Sequence, residues 1–246
     1  ISGKGPVFAD SICKNEELRL NPDGALKKLE YVFEATSLIK ASIDVPLIGF
    51  TGSPWTLFVY LYYGESPKNH DELNNYLKLK SHNTHSYLEQ LTETTKDYVH
   101  AQIEAGADCI QIFDSWGGLL DEKYQELSLN YINQIAACVQ VDIPIILYTR
   151  DKLIDNIIDL TPIKCFNLDT SDNIDTHISK SITIQGNFNP QNFHADEDEL
   201  KKMAELVYMK YKNKENYIFN LGSGLTPDIN PEKVGYFLSQ LSSFRS

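Results

Sequence analysis

Polar and glycine-rich turns follow the predicted strands of this chain, and its chemistry could reside in them. In one of these turns, the segment Gly52 to Pro54 precedes an aromatic run that contains Tyr60. A proline after a polar residue favours the first turn of a helix, whose free N–H groups would form an anion site at the strand ends. The alternative is that Trp55, Phe58 and Tyr60 are simply core aromatics, which composition alone favours.

A second turn poses the same question. Asp114 and Ser115 end an apolar run, and Trp116, Gly117 and Gly118 follow them. A polar pair at the end of a buried strand needs hydrogen-bond partners. The two side chains could cap the next helix or contact a ligand, and the sequence leaves both interpretations open.

Sequence motifs for a metal-binding or nucleotide-binding site are weak in this chain. His82, His85 and Glu89 would share one helix face, but such a trio on a polar helix is usually solvated surface. The turn Gly222 to Gly224 lacks the third glycine of a dinucleotide-binding fingerprint, and the chain contains no P-loop motif. We therefore expect neither a metal site nor a phosphate loop.

The elements that must position these turns are short apolar runs that alternate with helical patterns. This alternation is typical of successive βα units on a parallel sheet. Most runs are apolar without alternation, as strands buried on both faces should be. The six predicted strands are Val45 to Phe50, Cys109 to Asp114, Ile143 to Thr149, Cys165 to Asp169, Ile182 to Gly186 and Tyr217 to Leu221.

Helical periodicity lies between these strands. After a turn at Asn21 to Gly24, apolar residues recur from Leu26 to Ile39 and predict a core-facing amphipathic helix. Asn230 and Pro231 supply a cap and a first-turn proline to the last helix. Further helices are predicted over Asp71 to Glu104, Lys123 to Val139, Asp198 to Lys212 and Pro231 to Phe244.

Composition restricts the class of protein. With 246 residues, 42% of them hydrophobic, the chain can form one globular domain over residues 1–246. A net charge of −12 argues against nucleic-acid and anionic-membrane partners, and no apolar stretch is long enough to span a bilayer. The four cysteines lack C-x-x-C spacing, which favours a reducing compartment.

Five stretches of this sequence resemble the uroporphyrinogen decarboxylase family. They occur in the family's order and extend over nearly the whole chain, so the resemblance is specific. The stretches are Gly3 to Pro6, Pro46 to Tyr60, Gly106 to Gly118, Gln185 to Pro190 and Asn220 to Phe237. The resemblance implies an α/β fold of the (β/α)8 TIM-barrel family, with six of its eight strands represented here.

The resemblance also implies roles for single residues. Tyr60 and Ser115 match polar residues that contact the substrate and are the candidate catalytic residues. Phe50 and Phe113 match aromatics that line the cleft, and Gly52 matches a glycine that lets the substrate ring approach.

The implied reaction removes carbon dioxide from the four acetate groups of uroporphyrinogen III, giving coproporphyrinogen III without metal or organic cofactor. Because that substrate carries eight carboxylates, a chain of net charge −12 needs local cations to attract it. Arg150, near Lys152, is the best candidate for substrate binding. Pairing of Arg150 with Asp151 or another loop acid is an equal alternative.

Two departures from the family pattern matter. The family's first two strands, its arginine-rich segment and its central aspartate precede the stretch at Gly3, and this sequence does not contain them. Ser223, the remaining candidate for substrate binding, stands where the family motif usually has histidine, and serine cannot carry positive charge. These departures suggest that this chain does not decarboxylate alone, and that two strand edges would be exposed.

Three functions remain in competition at this stage. The first is the decarboxylase, active in heme or chlorophyll biosynthesis. A degenerate, non-catalytic structural subunit is the second, and a corrinoid methyltransferase is the third, although the chain lacks an H-x-C zinc motif. We expect a cytoplasmic protein, or one of the plastid stroma in a eukaryote. We also expect a homodimer, or a second chain that supplies the missing strands.

Overall fold

The computed structural model describes residues 8, 10–15, 18–65, 71–79, 81–139, 142–150, 155, 157–177 and 181–244. The chain divides into two compact units, Ile1–Ile163 (unit 1) and Lys164–Ser246 (unit 2). The expectation of a single domain over residues 1–246 stays a prediction. The stretch at Gly3 to Pro6, Asp151, Lys152 and the side chain of His82 lie outside the described residues.

Unit 1 has parallel strands connected by helices, as the alternation of patterns predicted. Strand β1 pairs with β2, and β2 pairs with β3, both in parallel. The elements in chain order are α1 (Ala25–Lys28), α2 (Glu30–Ser42), β1 (Ile48–Gly52), α3 (Pro54–Tyr63), α4 (Asp71–Leu79), α5 (Ser81–Glu104), β2 (Cys109–Asp114), a 3-10 helix (Gly117–Lys123), a π-helical turn (Gln125–Leu129), α6 (Asn130–Cys138) and β3 (Ile145–Thr149).

The predicted turn before α1 is present. The Asp23 N–H donates to Asn21 Oδ1 over 3.1 Å. Gly24 follows with a φ of 74°, a left-handed conformation that favours glycine. Leu29 then interrupts the helix, so that α1 and α2 replace the single helix expected from the periodicity.

The prediction that this helix faces the core is wrong. None of the residues of α1 and α2 is buried, and Tyr31 and Leu38 remain 67% and 73% exposed. Contact with α5 includes the rings of Phe33 and Tyr98, whose centroids are 5.7 Å apart. The apolar face of α2 is therefore only partly covered.

Helix α3 begins where the sequence predicted. Ser53 is its N-cap and accepts the Thr56 N–H through Oγ over 3.0 Å, with Pro54 in the first turn. The helix predicted over Lys123 to Val139 instead begins with the π-helical turn, in which Leu127, Ser128 and Leu129 are all buried. Three consecutive buried residues do not fit one face of an ordinary α-helix, so a regular period could not locate this turn.

The outer edge of β1 is closed at one position by a side chain. The Phe50 N–H donates to Gln102 Oε1 over 3.0 Å, and Gln102 Nε2 donates to the Phe50 carbonyl over 3.1 Å. An unpaired strand edge exposes such backbone groups to other chains. The open edge expected here is thus blocked at Phe50 by Gln102.

Unit 2 repeats the parallel pattern, with β4 pairing with β5 and β5 with β6. Its strands are shorter than predicted, although single backbone bonds extend the pairing, as between the Leu168 N–H and the Gln185 carbonyl (2.9 Å). Its elements are β4 (Cys165–Asn167), a 3-10 helix (Ile174–Thr176), β5 (Thr183–Gln185), a 3-10 helix (Pro190–His194), α7 (Glu197–Tyr211), β6 (Tyr217–Ile218) and α8 (Pro231–Ser243). Asn230 caps α8 as predicted, accepting the Glu232 N–H over 2.9 Å.

Aromatic side chains form the core of unit 2. Phe237 of α8 is fully buried among Phe188, Phe193 and Phe219, with ring centroids 4.6, 5.6 and 5.7 Å away, respectively.

Among the described residues, no helix combines the length and apolar content that crossing a bilayer requires.

Phe237→Ala should lower the free energy of unfolding of unit 2 by about 3–5 kcal/mol, because it leaves a cavity among three phenylalanine rings. The neighbouring substitution Leu238→Ala is the control, since Leu238 is 47% exposed and its loss should change stability by less than about 0.5 kcal/mol. Urea denaturation followed by circular dichroism measures both values. Equal effects of the two substitutions would contradict this assignment of the core.

Candidate active site

The carboxyl ends of β1, β2 and β3 bring the predicted site residues of unit 1 to one edge of the strands. The pairing places Gly52 beside Phe113, and Phe113 beside Tyr148. Because alternate residues of a strand share a face, Phe50 lies on the same face as Gly52. Neighbouring parallel strands thus present one row of aromatic side chains.

The aromatic row has an exposed end and a buried end. The rings of Phe50 and Phe113 meet edge to face with centroids 6.2 Å apart, and Phe113 lies 5.7 Å from Tyr148. Phe50 is 61% exposed, Phe113 is half-buried and Tyr148 is buried. Such a row offers an apolar wall to a flat ligand.

Tyr60 lies at the rim of α3, whereas its aromatic neighbours are in the core. Trp55 and Phe58 are fully buried, so the interpretation as core aromatics is correct for these two residues. Tyr60 is half-buried and packs edge-on against Trp116, with ring centroids 6.2 Å apart. Within the described part of the chain, its hydroxyl has no hydrogen-bond partner.

Ser115 is the first residue after β2, in the loop that continues with Trp116. It is half-buried, and its hydroxyl likewise has no partner among the described residues. The carbonyl of Trp116 accepts Trp55 Nε1–H over 2.8 Å, which fastens this loop to α3. As far as the described residues go, the hydroxyls of Tyr60 and Ser115 are therefore both available to a ligand.

Arg150 follows β3 and lies over the indole of Trp116. Its Cζ is 5.5 Å from the ring centroid, a cation–π distance, and the side chain is exposed. No ion pair of Arg150 occurs among the described residues, so pairing with a loop acid other than Asp151 is not seen. The ring of Trp116 thus contacts both Tyr60 and Arg150.

Asp114 ends β2 and is fully buried. Its Oδ1 accepts the hydroxyls of Ser53 (2.6 Å) and Thr56 (3.4 Å), and its Oδ2 accepts the hydroxyl of Ser128 (2.9 Å). Burial raises the pKa of the Asp114 carboxyl, and hydrogen bonds from the side chains of Ser53, Ser128, Tyr124 and Thr56 oppose that shift.

The prediction that the N-terminus of α3 forms an anion site for a ligand is wrong. The anion site predicted there for a ligand is occupied by the protein's own Asp114, through the hydroxyls of the first helical turn. Both Ser53 and Thr56 are buried, so an external anion does not reach them. The alternative that Asp114 caps the next helix is also wrong, because that 3-10 helix has no side-chain cap and Asp114 instead accepts hydroxyls at the start of the preceding helix α3.

Gly52 has a packing role that requires no ligand. A Cβ at this position would lie 3.1 Å from Leu57 Cδ2, which is tighter than ordinary side-chain contacts. Close approach of a substrate ring to Gly52 remains a proposal.

In unit 2, Ser223 lies in the turn after β6. It is half-buried, and its Oγ accepts the Thr170 hydroxyl over 3.5 Å. Gly222 allows this contact, because a Cβ there would lie 2.4 Å from the backbone nitrogen of Thr170. The turns after β4 and β6 are therefore in close contact.

Metal ligands are not assembled in the part of the chain that the structure describes, where no group of three His, Cys, Asp or Glu side chains could hold an ion. His85, one of the trio considered above, hydrogen-bonds through Nδ1 to the Tyr131 hydroxyl (2.8 Å) and through Nε2 to Glu126 (3.1 Å).

Sequence reasoning missed two parts of the site, the partners of Asp114 and the central position of Trp116. The signal for the first was present, since Asp114 is a carboxylate at the end of an apolar run and Ser53 and Thr56 stand at a helix start. Nothing in the spacing of Ser128 indicated that it would join them.

Solved structures of similar fold come first. A methyltransferase from Methanosarcina mazei matches with a TM-score of 0.73 and 18% sequence identity, over 98% of this chain and 71% of that one. A putative vitamin-B12 independent methionine synthase from Listeria monocytogenes matches with a TM-score of 0.56 and 16% identity, over 87% of this chain and 69% of that one. At such identities these likenesses show the fold alone.

The chain belongs to the uroporphyrinogen decarboxylase family, whose model matches residues 1–244. A uroporphyrinogen decarboxylase of Francisella philomiragia is 35% identical over 99% of this chain and 74% of the relative. The enzyme of that name from Campylobacter jejuni is 37% identical over 96% of this chain and 72% of the relative. Both the predicted family and the predicted α/β fold of the (β/α)8 TIM-barrel class are confirmed.

Gly222→Ala should destabilise unit 2 by about 1–3 kcal/mol, since the added methyl group overlaps the backbone of Thr170. Gly224→Ala in the same turn is the matched control, because no atom lies within 4 Å of the place that its Cβ would occupy and little change is expected. Urea denaturation of the two variants gives the comparison. A Gly222→Ala protein as stable as the Gly224→Ala protein would contradict the close contact between the turns.

Proposed function

We propose that this protein removes carbon dioxide from the four acetate side chains of uroporphyrinogen III and releases coproporphyrinogen III. Membership of the family makes the chain a decarboxylase of tetrapyrrole biosynthesis. The observation that carries the proposal at the level of the site is the pair of unpartnered hydroxyls, Tyr60 and Ser115, beside the aromatic row in the described part of the chain.

Each residue of the cleft has a physical role in this proposal. Phe50 and Phe113 contact the flat faces of the macrocycle, and Gly52 leaves room beside them. Tyr60 and Ser115 donate hydrogen bonds to substrate carboxylates. Their hydroxyls can do so without breaking a bond to another described residue.

Charge is supplied by Arg150. Its exposed guanidinium lies over Trp116 and has no ion pair among the described residues, so it is available to a carboxylate of the substrate. Stacking on the indole also restricts the guanidinium to one side of the cleft. Ser223 of unit 2 stays a proposed substrate-binding residue that offers a neutral hydroxyl.

The proposed reaction needs an electron sink and a stabilised cation. Protonation of a pyrrole carbon makes the ring electron-deficient. The bond between the acetate methylene and its carboxylate then breaks, carbon dioxide leaves, and the electron pair moves into the ring. Protonation of the methylene carbon completes the methyl group, and loss of the first proton restores the pyrrole.

A carboxylate near the ring centre would stabilise the positive charge that develops in this reaction. Asp114 does not supply that carboxylate, because it is fully buried and its oxygens accept three internal hydroxyls. Asp169 of unit 2 accepts the N–H of Ser171 over 3.3 Å, in a local turn. The described residues thus assign this role to neither carboxylate.

We propose further that the protein is cytoplasmic and forms a homodimer, or associates with a chain that pairs with β1. Exposed apolar side chains near that strand, Val45 (61%) and Ile48 (40%), support an association there. Sedimentation equilibrium of the purified protein decides the point, since a monomer at all concentrations would exclude the dimer.

Tyr60→Phe should weaken turnover or binding of uroporphyrinogen by about 1–3 kcal/mol, the contribution of one or two hydrogen bonds. The measurement is the rate of coproporphyrinogen formation, with products oxidised and separated by chromatography. Tyr31→Phe is the matched control, because Tyr31 is exposed on α2 and its loss of a hydroxyl should not change the rate.

Two outcomes would contradict the proposed function. Absence of any carboxylate loss by the unsubstituted protein would favour the non-catalytic structural subunit. Equal rates for the Tyr60→Phe and Tyr31→Phe proteins would remove Tyr60 from the site while leaving the activity itself intact.

A further inference from the structure

The buried carboxylate of Asp114 joins segments that are far apart in the sequence. Ser53 and Thr56 come from the first turn of α3, and Ser128 comes from the π-helical turn. All three hydroxyls lie within hydrogen-bond distance of Asp114, at 2.6, 3.4 and 2.9 Å. A carboxylate with this many donors organises its surroundings more strictly than an apolar contact does.

The direction of these hydrogen bonds is determined by the backbone. Ser53 Oγ accepts the Thr56 N–H over 3.0 Å, and Thr56 Oγ1 accepts the Trp116 N–H over 3.4 Å. Each hydroxyl accepts one N–H and keeps its single proton for donation to Asp114 Oδ1. Asp114 Oδ1 can therefore accept both hydroxyls at once.

Close packing leaves the carboxylate no alternative position. A Cβ on Gly117 would lie 2.3 Å from Asp114 Oδ2 and 2.7 Å from a ring carbon of Tyr124. The backbone at Gly117 is thus directly against the carboxylate. This contact gives a physical reason for a glycine two residues after Ser115.

The same cluster connects the two segments that carry the proposed catalytic hydroxyls. Ser115 follows Asp114 directly, and Tyr60 lies on the helix whose first turn Asp114 holds. Trp116 provides a second connection, through its carbonyl to Trp55 and through its ring to Tyr60.

We propose that Asp114 is a positioning residue for the decarboxylation, which holds Tyr60 and Ser115 in register by binding the start of α3 to the loop after β2. This inference rests on the proposed function, because it assigns Asp114 a task at the same site. Asp114 does not touch the substrate. It acts by fixing the geometry of two hydroxyls that do.

Asp114→Asn is the decisive substitution, since asparagine keeps the shape but replaces one accepting oxygen with a donating NH2 group. That group cannot accept the hydroxyl of Ser53 or of Ser128, so the hydrogen bond on that side must reverse its direction. The charge that strengthens the bonds of the cluster is also lost. Asp108→Asn is the matched control at the other end of β2. Asp108 binds Lys40 Nζ (2.7 Å) and the Leu47 N–H (2.7 Å), away from the site.

Hydrogen exchange tests the connection without any substrate. In the Asp114→Asn protein, amides of residues 53–60 and 114–118 should both exchange faster than in the unsubstituted protein. In the Asp108→Asn protein, faster exchange should be confined to the region of Leu47. Unchanged exchange in both segments of the Asp114→Asn protein would overturn the proposal.

Kinetics separate positioning from mere stability. Asp114→Asn should lower kcat by about a hundredfold, as small displacements of reacting groups can. Combined with Tyr60→Phe, it should lower kcat by less than the product of the two single effects, because part of the effect of Asp114→Asn acts through the Tyr60 hydroxyl. Effects that multiply fully would show a general loss of structure and would overturn the proposal.

If the Asp114→Asn protein does not fold, Thr56→Val is the variant to test instead. It removes the hydroxyl that binds both Asp114 and the Trp116 N–H, and a smaller fall in kcat of the same kind is expected; an unchanged kcat would count against the proposal. If the unsubstituted protein does not decarboxylate uroporphyrinogen, the proposed function fails. The exchange measurement then decides by itself whether Asp114 holds the two segments together.

Discussion

A buried carboxylate at the first turn of a helix is the constraint on which the rest of the site depends. Removing Asp114 from water is costly, and three hydroxyls from two segments compensate for the lost hydration. The positive end of the α3 dipole also favours negative charge on Asp114. Because these donors must stay in place, the start of α3 and the loop after β2 keep a defined separation. This separation determines where the aromatic row and the hydroxyls of Tyr60 and Ser115 lie.

The sequence predicts the elements of this arrangement better than their contacts. Strand β2 has the predicted bounds, and α3 begins at Pro54 with Ser53 as its cap, because these features depend on local residues alone. The exposure of α2 could not be predicted, since periodicity shows which face is apolar but not whether a neighbour covers it. Occupation of the α3 N-terminus by Asp114 also depends on a contact between residues that are far apart in the chain.

The proposed site residues come from the resemblance to the family, and the structure shows what each of them contacts. Spacing alone leaves Tyr60 among the core aromatics, whereas the structure separates it from Trp55 and Phe58 by its position on the helix rim. The role of Trp116 depends on its contacts with α3 and with Arg150. In an acidic chain, the Arg150 guanidinium, which lies on the Trp116 ring without an ion pair among the described residues, is the group that we propose binds the substrate's carboxylates.

The central claim is that the cleft beside Trp116 binds a flat polycarboxylate, and tryptophan fluorescence tests it most directly. The chain has two tryptophans, Trp55 and Trp116, and both lie at this site. Titration with uroporphyrin, the stable oxidised form of the substrate, should quench their emission saturably, with weaker binding after Arg150→Ala. Quenching that does not saturate, or an affinity unchanged by Arg150→Ala and by added salt, would contradict the account.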